Sequence, residues 1–191
     1  MSRISRRALP VATVALARYL IGKHLVHRSA AGRIAGRIVE TEAYPPGDPT
    51  GYARPGLTTS NAPLFAVRGT AYVRMVYGTC LTLNLASEAE GVGAAVLIRA
   101  LEPTEGIALM LANRPSSRLR DLARGPGRVC EALGIGRELS GVDLCSSSTL
   151  WLERVSGAAD IQVTTRIGLS RDQHRRLRFI ERVSPFVSVP P

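Results

Sequence analysis

The clearest pattern of hydrophobic and polar positions lies at residues 36–44, in the sequence G-R-I-V-E-T-E-A-Y. β-Branched residues are frequent in it and no proline occurs before Pro45, so the pattern predicts a β-strand. Side chains alternate between the two faces of a strand, which places Glu40, Glu42 and Tyr44 on one side. Two interpretations are open: a half-exposed strand with solvated carboxylates, or a site where poor solvation tunes a carboxylate for acid–base chemistry.

A second strand is predicted at residues 94–101, where aliphatic side chains follow one another almost without interruption. Strands of this kind are typically buried on both faces of a sheet. Arg99 is the one charged residue in the run, and a buried guanidinium requires a carboxylate, a phosphate or water as its partner. We therefore expect Arg99 to pair with Glu40 or Glu42, either as a structural ion pair or as part of a site.

The segments 71–76 and 80–85 predict a β-hairpin with Tyr77-Gly78 at its tip. A tyrosine at a tip contributes little to packing unless it folds back onto the domain. A ring inserted between base steps, by contrast, would hold open an unstacked duplex. Asn84 lies among leucines in the second strand, where it is either a hydrogen-bonded core residue or a polar group in a pocket.

Turn formers and helix signals divide the rest of the chain. Residues 45–51 form a loop rich in proline and glycine that leads to Tyr52. Helices are predicted at 16–23, from Glu105 onwards, and at 129–133. The G-P-G-R sequence that opens the last of these can present backbone N–H groups to a phosphate, and Arg128 adds positive charge there.

Length and charge restrict the class of protein. The 191 residues, 45% of them hydrophobic, are enough for one domain with an ample core. A formal net charge of +10 predicts attraction to a polyanion, and nearly all of the basic residues are arginine, whose planar guanidinium suits phosphate. Charge alone leaves nucleic acid and other polyanions open.

The cysteines and the N-terminus indicate the compartment. Three cysteines and three histidines are widely scattered, which argues against a zinc site or a disulfide framework and favours a reducing cytosol. The basic and then apolar start resembles a secretion signal, but Pro10 and Arg18 interrupt it. No stretch approaches the roughly 20 apolar residues of a membrane span. We expect an unprocessed cytoplasmic protein without membrane contact, associated with the nucleoid if it is bacterial.

Six motifs in order carry a resemblance to a known family: V-E-T-E-A-Y, A-Y-V-R-M-V-Y-G, L-N-L, V-L-I-R-A-L-E-P, G-P-G-R-V-C-E-A-L-G-I and W-L-E. Together they resemble the alkyladenine (3-methylpurine) DNA glycosylases over nearly the whole chain. The resemblance implies one α/β (α+β) domain over residues 1–191. Its mixed, mainly antiparallel curved sheet would be surrounded by helices and carry a protruding β-hairpin.

The same resemblance implies an enzyme of base excision repair that works as a monomer on double-stranded DNA containing damaged purines, with no metal and no organic cofactor. Glu42 would activate the attacking water, and Arg99 would orient Glu42 and that water. The remaining site residues that it implies are a base pocket of Tyr44, Tyr52, Arg74 and Asn84, and the DNA-binding residues Tyr77, Thr58, Leu64 and Arg128.

Two positions depart from the family pattern and leave the lesion spectrum open. Tyr52 stands where the family commonly has histidine; tyrosine can stack on a base but cannot become a cation or offer two ring nitrogens. Arg74 stands where an aromatic wall is frequent; its plane can stack on a base but is less favourable to a cationic one.

Other functions remain open at this point. A non-catalytic nucleic-acid-binding domain of the same fold would explain Tyr52 and Arg74. A glycosidase that uses Glu40 and Glu42 as its pair is a third interpretation, although the basic composition and the few aromatic residues count against it. Only the resemblance selects Glu42 over Glu40, because the strand period places both on one face.

Overall fold

The structure is a computed structural model that describes residues 2–116 and 118–190. Residues 1, 117 and 191, which the predicted domain includes, lie outside the described residues. The strands are β1 (Ser2–Arg3), β2 (His24–Ser29), β3 (Gly32–Tyr44), β4 (Ala71–Val76), β5 (Cys80–Ala86), β6 (Ala95–Glu105), β7 (Leu150–Arg154), β8 (Ile161–Thr164) and β9 (Arg178–Glu181). The α-helices are α1 (Thr13–Leu20), α2 (Ile107–Asn113) and α3 (Pro126–Leu133).

The nine strands form one sheet in the order β1-β7-β2-β3-β6-β5-β4, with β9 pairing to β3 and β8 pairing to β9. Each of these pairings is antiparallel. The sheet is curved but not closed, and the three α-helices complete the domain. The predicted fold class, with a mainly antiparallel curved sheet and a hairpin, is confirmed.

Strand β3 is the centre of the sheet, because it pairs with β2, β6 and β9. Its pairing with β6 is irregular around Glu40: Ile38 lies opposite Leu101, Glu40 opposite Ala100, and Thr41 opposite Ile98. A bulge of this kind bends a strand and redirects its side chains. Because Glu40 lies opposite Ala100 and Glu42 lies opposite Leu97, Arg99 of β6 is placed between the two carboxylates of β3.

The hydrophobic core lies between the sheet and the helices, as the apolar face of α1 illustrates. Thr13, Leu16, Ala17 and Leu20 are buried, at the spacing of a single helical stripe. The helix ends just before Gly22, whose φ of +81° suits glycine. The prediction for this helix was therefore placed three residues too late.

The β4–β5 hairpin has the predicted form. Val76 pairs with Cys80, and the Thr79 N–H donates to the Val76 carbonyl at 3.2 Å. Both Tyr77 and Gly78 have positive φ, at 53° and 68°, which is uncommon for a tyrosine. The Tyr77 side chain is 88% exposed, so the alternative in which it folds back onto the domain is wrong for this structure.

Two smaller differences from the sequence-based prediction concern element ends. Glu105 closes β6 instead of opening a helix, and α2 begins at Ile107 after Gly106 in the left-handed region. Within the described residues, none of the helices has the length and apolar character that crossing a membrane requires.

Candidate active site

A cavity of about 260 Å³ opens where the end of β3, strands β5 and β6, the hairpin tip and residues 167–169 meet. Its lining combines three tyrosine rings with a small number of polar side chains. This is the composition expected of a site for a flat, partly polar ligand. The aromatic and polar residues that line it are Tyr44, Tyr52, Tyr77, Thr50, Thr82, Asn84 and Arg99.

Glu40 is fully buried, and both of its oxygens are occupied. Its Oε1 accepts from Arg99 Nε at 3.0 Å, Arg178 Nε at 2.7 Å and Ser188 Oγ at 2.8 Å. Its Oε2 accepts from the Ser188 N–H. These bonds join β3 to β9 and to the C-terminal segment, so Glu40 has the contacts of a structural carboxylate.

Glu42 is also fully buried, but its partners are different. Its Oε2 accepts from the Tyr44 hydroxyl at 2.9 Å and lies 3.3 Å from Arg99 Nη1, and its Oε1 accepts from the Ile167 N–H at 2.8 Å. All three donor residues line the cavity. Glu42 therefore lies directly behind the cavity wall, and the contacts separate two carboxylates that the strand period leaves equivalent.

Arg99 bridges the two carboxylates. Its Nε contacts Glu40 at 3.0 Å and its Nη1 contacts Glu42 at 3.3 Å, and only 9% of its side chain is exposed. The predicted pairing is confirmed for both acids. Because Arg99 also lines the cavity, it holds Glu42 in place from within the site.

Tyr44 contributes one wall of the cavity and a hydroxyl that bonds Glu42. Burial, together with the negative charge of Glu42, raises the pKa of Tyr44 well above its ordinary value. The hydroxyl therefore remains a proton donor to the carboxylate. On the ring, the guanidinium carbon of Arg166 lies 4.7 Å from the centroid.

Tyr52 forms another wall and meets Tyr72 edge to face, with centroids 6.2 Å apart. Arg74 lies over the Tyr52 ring at 4.6 Å from its centroid and donates to the Tyr72 hydroxyl at 3.0 Å. Arg74 is absent from the lining of the cavity and instead lines, with Tyr52, a neighbouring cavity of about 600 Å³. In this structure Arg74 backs the wall that Tyr52 provides, and its assignment to the base pocket stays a prediction.

Asn84 lines the cavity from β5 and is 1% exposed. Its Nδ2 has no hydrogen-bond partner in the described part of the chain. A buried donor without a partner is costly, by about 1–3 kcal/mol. The amide is therefore free to donate to an acceptor in the cavity, and Asn84 is not a core residue whose hydrogen bonds are all satisfied by the protein.

The four residues assigned to DNA contact differ in exposure. Tyr77 projects from the mouth of the cavity, Thr58 is exposed at the neighbouring cavity, and Arg128 is exposed on α3, next to the cavity-lining Pro126. Leu64 is fully buried and packs with Tyr72 and Ala95. Its side chain packs into the core instead of facing solvent, and its assignment to DNA binding stays a prediction.

Several residues of the site have no signal in the sequence. The Ile167 N–H bonds Glu42, and the neighbouring Arg166 is buried, with Nη1 donating to Asp48 Oδ2 at 2.8 Å and to the Ala43 carbonyl at 3.1 Å. These residues lie more than a hundred positions from their partners in β3 and the following loop. The D-P-T sequence that begins at Asp48 is typical of a turn and is the one local signal of this arrangement. The Thr50 N–H and hydroxyl both donate to the Asp48 carboxylate, as expected for such a turn.

Asp48 ties the loop after β3 to the segment that closes the cavity. Its Oδ2 also accepts from Arg175 at 3.1 Å. Although burial opposes the change, the hydrogen bonds from Thr50 and Arg166 lower the pKa of Asp48. The carboxylate is thus a charged anchor for two segments that each supply residues to the cavity lining.

Comparison with known proteins gives consistent matches. A family model described as "Methylpurine-DNA glycosylase (MPG)" matches residues 8–185. A relative from Paraburkholderia phytofirmans named "Putative 3-methyladenine DNA glycosylase" is 53% identical over 97% of this chain and 87% of its own length. Relatives with the same name from Mesorhizobium japonicum and Methanocella arvoryzae are 52% and 44% identical, over 98% and 92% of this chain and 90% of each relative.

Proposed function

The chain belongs to the methylpurine-DNA glycosylase family and is a DNA N-glycosylase, and on this premise we propose that it hydrolytically excises alkylated and deaminated purines from double-stranded DNA. The observation that carries the proposal is the set of donors to Glu42. Tyr44, Arg99 and Ile167 each bond this carboxylate and each line the cavity. A buried acid is thereby fixed next to a space that a base can enter.

The damaged nucleotide rotates out of the duplex, and its base enters the cavity between Tyr44 and Tyr52. Tyr77, at the exposed tip of the hairpin, inserts into the gap that the nucleotide leaves. The unpaired Asn84 Nδ2 donates to an acceptor on the base edge. Stacking supplies the affinity, and this one polar group contributes to selection.

In the chemical step, Glu42 positions a water and removes its proton as the water attacks the anomeric carbon and the base departs. The transition state resembles an oxocarbenium ion, so the negative charge of the same carboxylate also stabilises the sugar. Arg99 holds Glu42 in the required orientation. General-base catalysis of this kind accounts for roughly 10²- to 10⁴-fold in rate.

The product is an abasic site in an intact strand. Strand cleavage by a glycosylase normally requires an amine that forms a Schiff base. Lys23 is the single lysine of the sequence, and it lies 5.1 Å from the Tyr19 ring and away from the cavity lining. Burial, with the nearby charges of Arg154 and Arg37, lowers its pKa, but in this proposal the amine, which does not line the cavity, does not react with the sugar.

The protein works as a monomer in this proposal, since one chain supplies every residue of the described site. Its DNA substrate places its action in the cytoplasm, at the nucleoid if the host is bacterial. The exposed Tyr77, which lines the cavity, and the exposed Arg128 on α3 support the assignment of DNA as the substrate.

The test is to incubate the protein with alkylated or hypoxanthine-containing duplex DNA and measure the released free base. Chromatographic detection of free base, with abasic sites revealed by alkali and no strand break before alkali, is the expected result. Tight binding to lesion DNA without any released base would instead favour a non-catalytic binding domain of the same fold and refute the proposed reaction.

A further inference from the structure

Each of two tyrosines that wall the cavity has an arginine stacked on its ring. The guanidinium carbon of Arg166 lies 4.7 Å from the Tyr44 centroid, and that of Arg74 lies 4.6 Å from the Tyr52 centroid. Neither arginine lines the cavity, whereas both tyrosines do. Each ring therefore separates a cation from the space that a base would occupy.

The charges around the cavity are not balanced at Arg74. Within the site, Arg99 and Arg178 are offset by Glu40 and Glu42. Arg166 has Asp48 as its partner. Arg74 forms no ion pair within residues 2–116 and 118–190, and its side-chain hydrogen bond goes to the neutral Tyr72 hydroxyl. Its positive charge acts on the cavity through Tyr52.

Damaged purines divide into two classes by charge. A purine nucleotide alkylated at N3 or N7 carries a formal positive charge, whereas hypoxanthine does not. An aromatic face attracts a cation through its quadrupole, but a guanidinium on the far face already uses part of that attraction. A base stacked on the near face would also be repelled by the cation behind the ring.

The size of the repulsion follows from the distance. Arg74 lies 4.6 Å from the ring centroid, and a stacked base adds about 3.5 Å, which gives about 8 Å between the two charges. At that separation, an effective dielectric constant between about 20 and 80 corresponds to roughly two- to thirtyfold in affinity.

We propose that this cavity selects uncharged purine lesions over cationic ones, with Arg74 as a specificity-determining residue that acts through Tyr52. The inference rests on the proposed function, since it assumes that the cavity receives the flipped base. It does not require hydrolysis, because it concerns the affinity of the pocket for two classes of base.

The experiment measures binding by the Glu42→Gln protein, so that excision does not interfere. Two duplexes of one sequence are compared: one contains 7-methylguanine, which is cationic, and the other 7-deaza-7-methylguanine, its uncharged isostere, both opposite cytosine. Each affinity is expressed relative to the unmodified duplex. We expect the uncharged base to bind more tightly, and Arg74→Gln in the same background to reduce this preference by about twofold or more.

Matched variants separate pocket selectivity from general effects. Arg54→Gln removes an exposed arginine of the same neighbouring cavity that is not stacked on Tyr52, so it should weaken all duplexes alike and leave the preference unchanged. Arg74→Lys should largely keep the preference, because the charge remains. Equal affinity for the two bases, or the same preference in Arg74→Gln as in Arg54→Gln, would overturn the inference, even if the parent protein releases base.

Discussion

Glutamine substitutions at Glu42 and Glu40 test the proposed division between a catalytic and a structural carboxylate. Both changes keep the side-chain shape and remove one negative charge. In Glu42→Gln, the single amide oxygen can keep either the bond from the Ile167 N–H or the contacts that Oε2 makes with Tyr44 and Arg99, and the ion pair with Arg99 is lost in both orientations. The activated water loses its base entirely.

In Glu40→Gln the loss falls on stability. Arg99 and Arg178, with side chains 9% and 3% exposed, lose their shared carboxylate at 3.0 and 2.7 Å. Removing one partner from a buried ion pair costs about 3–5 kcal/mol. For a domain of this size each kcal/mol lowers Tm by roughly 2–4 °C, so a decrease of the order of 10 °C is expected.

The assay is single-turnover release of hypoxanthine, measured beside a thermal melt of each variant. Glu42→Gln should bind lesion DNA about as well as the parent, release base at least ~10²-fold more slowly, and melt within a few degrees of it. Glu40→Gln should retain most of its turnover well below its lowered Tm. Near-normal turnover in Glu42→Gln together with a folded but inactive Glu40→Gln would refute the assignment.

Three further predictions concern the hairpin, the lysine and the acid anchor. Tyr77→Ala should slow excision roughly ten- to a hundredfold, and most for lesions that are still well paired. The salt dependence of binding should stay nearly unchanged. An equal loss of rate for a lesion opposite a pairing and a non-pairing base would show that Tyr77 does not insert into the duplex as a wedge. Lys23→Ala should leave the reaction products unchanged. If borohydride traps a protein–DNA adduct with the parent protein but not with this variant, the enzyme also has lyase activity through Lys23, and the prediction of an intact strand is wrong. Asp48→Asn should destabilise the protein at neutral pH. The pKa of Asp48 is lower in the folded protein than its ordinary value of 3.8, so the ionised carboxylate stabilises the fold at pH values above 3.8. This stabilisation is lost as the pH falls through the folded pKa. The Tm gap between parent and Asp48→Asn should therefore narrow in acid, and a gap that is constant from pH 7 to strongly acidic pH would show that the charge of Asp48 does not matter.

Local patterns in the sequence determined the secondary structure of the site region. The alternation that predicts a strand at 36–44 and the apolar run at 94–101 depend on neighbouring residues alone. Strand β3 contains the first segment, and β6 contains the second except for Ala94. The hairpin followed from a turn signal between two alternating runs, which also placed Tyr77 at an exposed tip. The order of six motifs was sufficient for the family, which the comparisons confirm.

The strand pattern leaves Glu40 and Glu42 equivalent; the family resemblance selected Glu42, and only the tertiary structure supplied the physical difference between them. Apart from Tyr44, their partners come from β6, from β9, from residue 167 and from the C-terminal segment, all far away in sequence, and the bulge at Glu40 has no local signal. Periodicity specifies the face of a strand but not which distant donors reach each oxygen.

The same limit applies to the positions of Leu64 and Arg74. Whether Leu64 meets DNA or the core depends on the packing of its loop against Tyr72. Whether Arg74 touches a base or stacks behind Tyr52 depends on the path of the loop that carries Tyr52, which folds across β4 from a distant part of the chain. Residue type and spacing determined which side chains were available, and long-range packing decided which of them face the cavity.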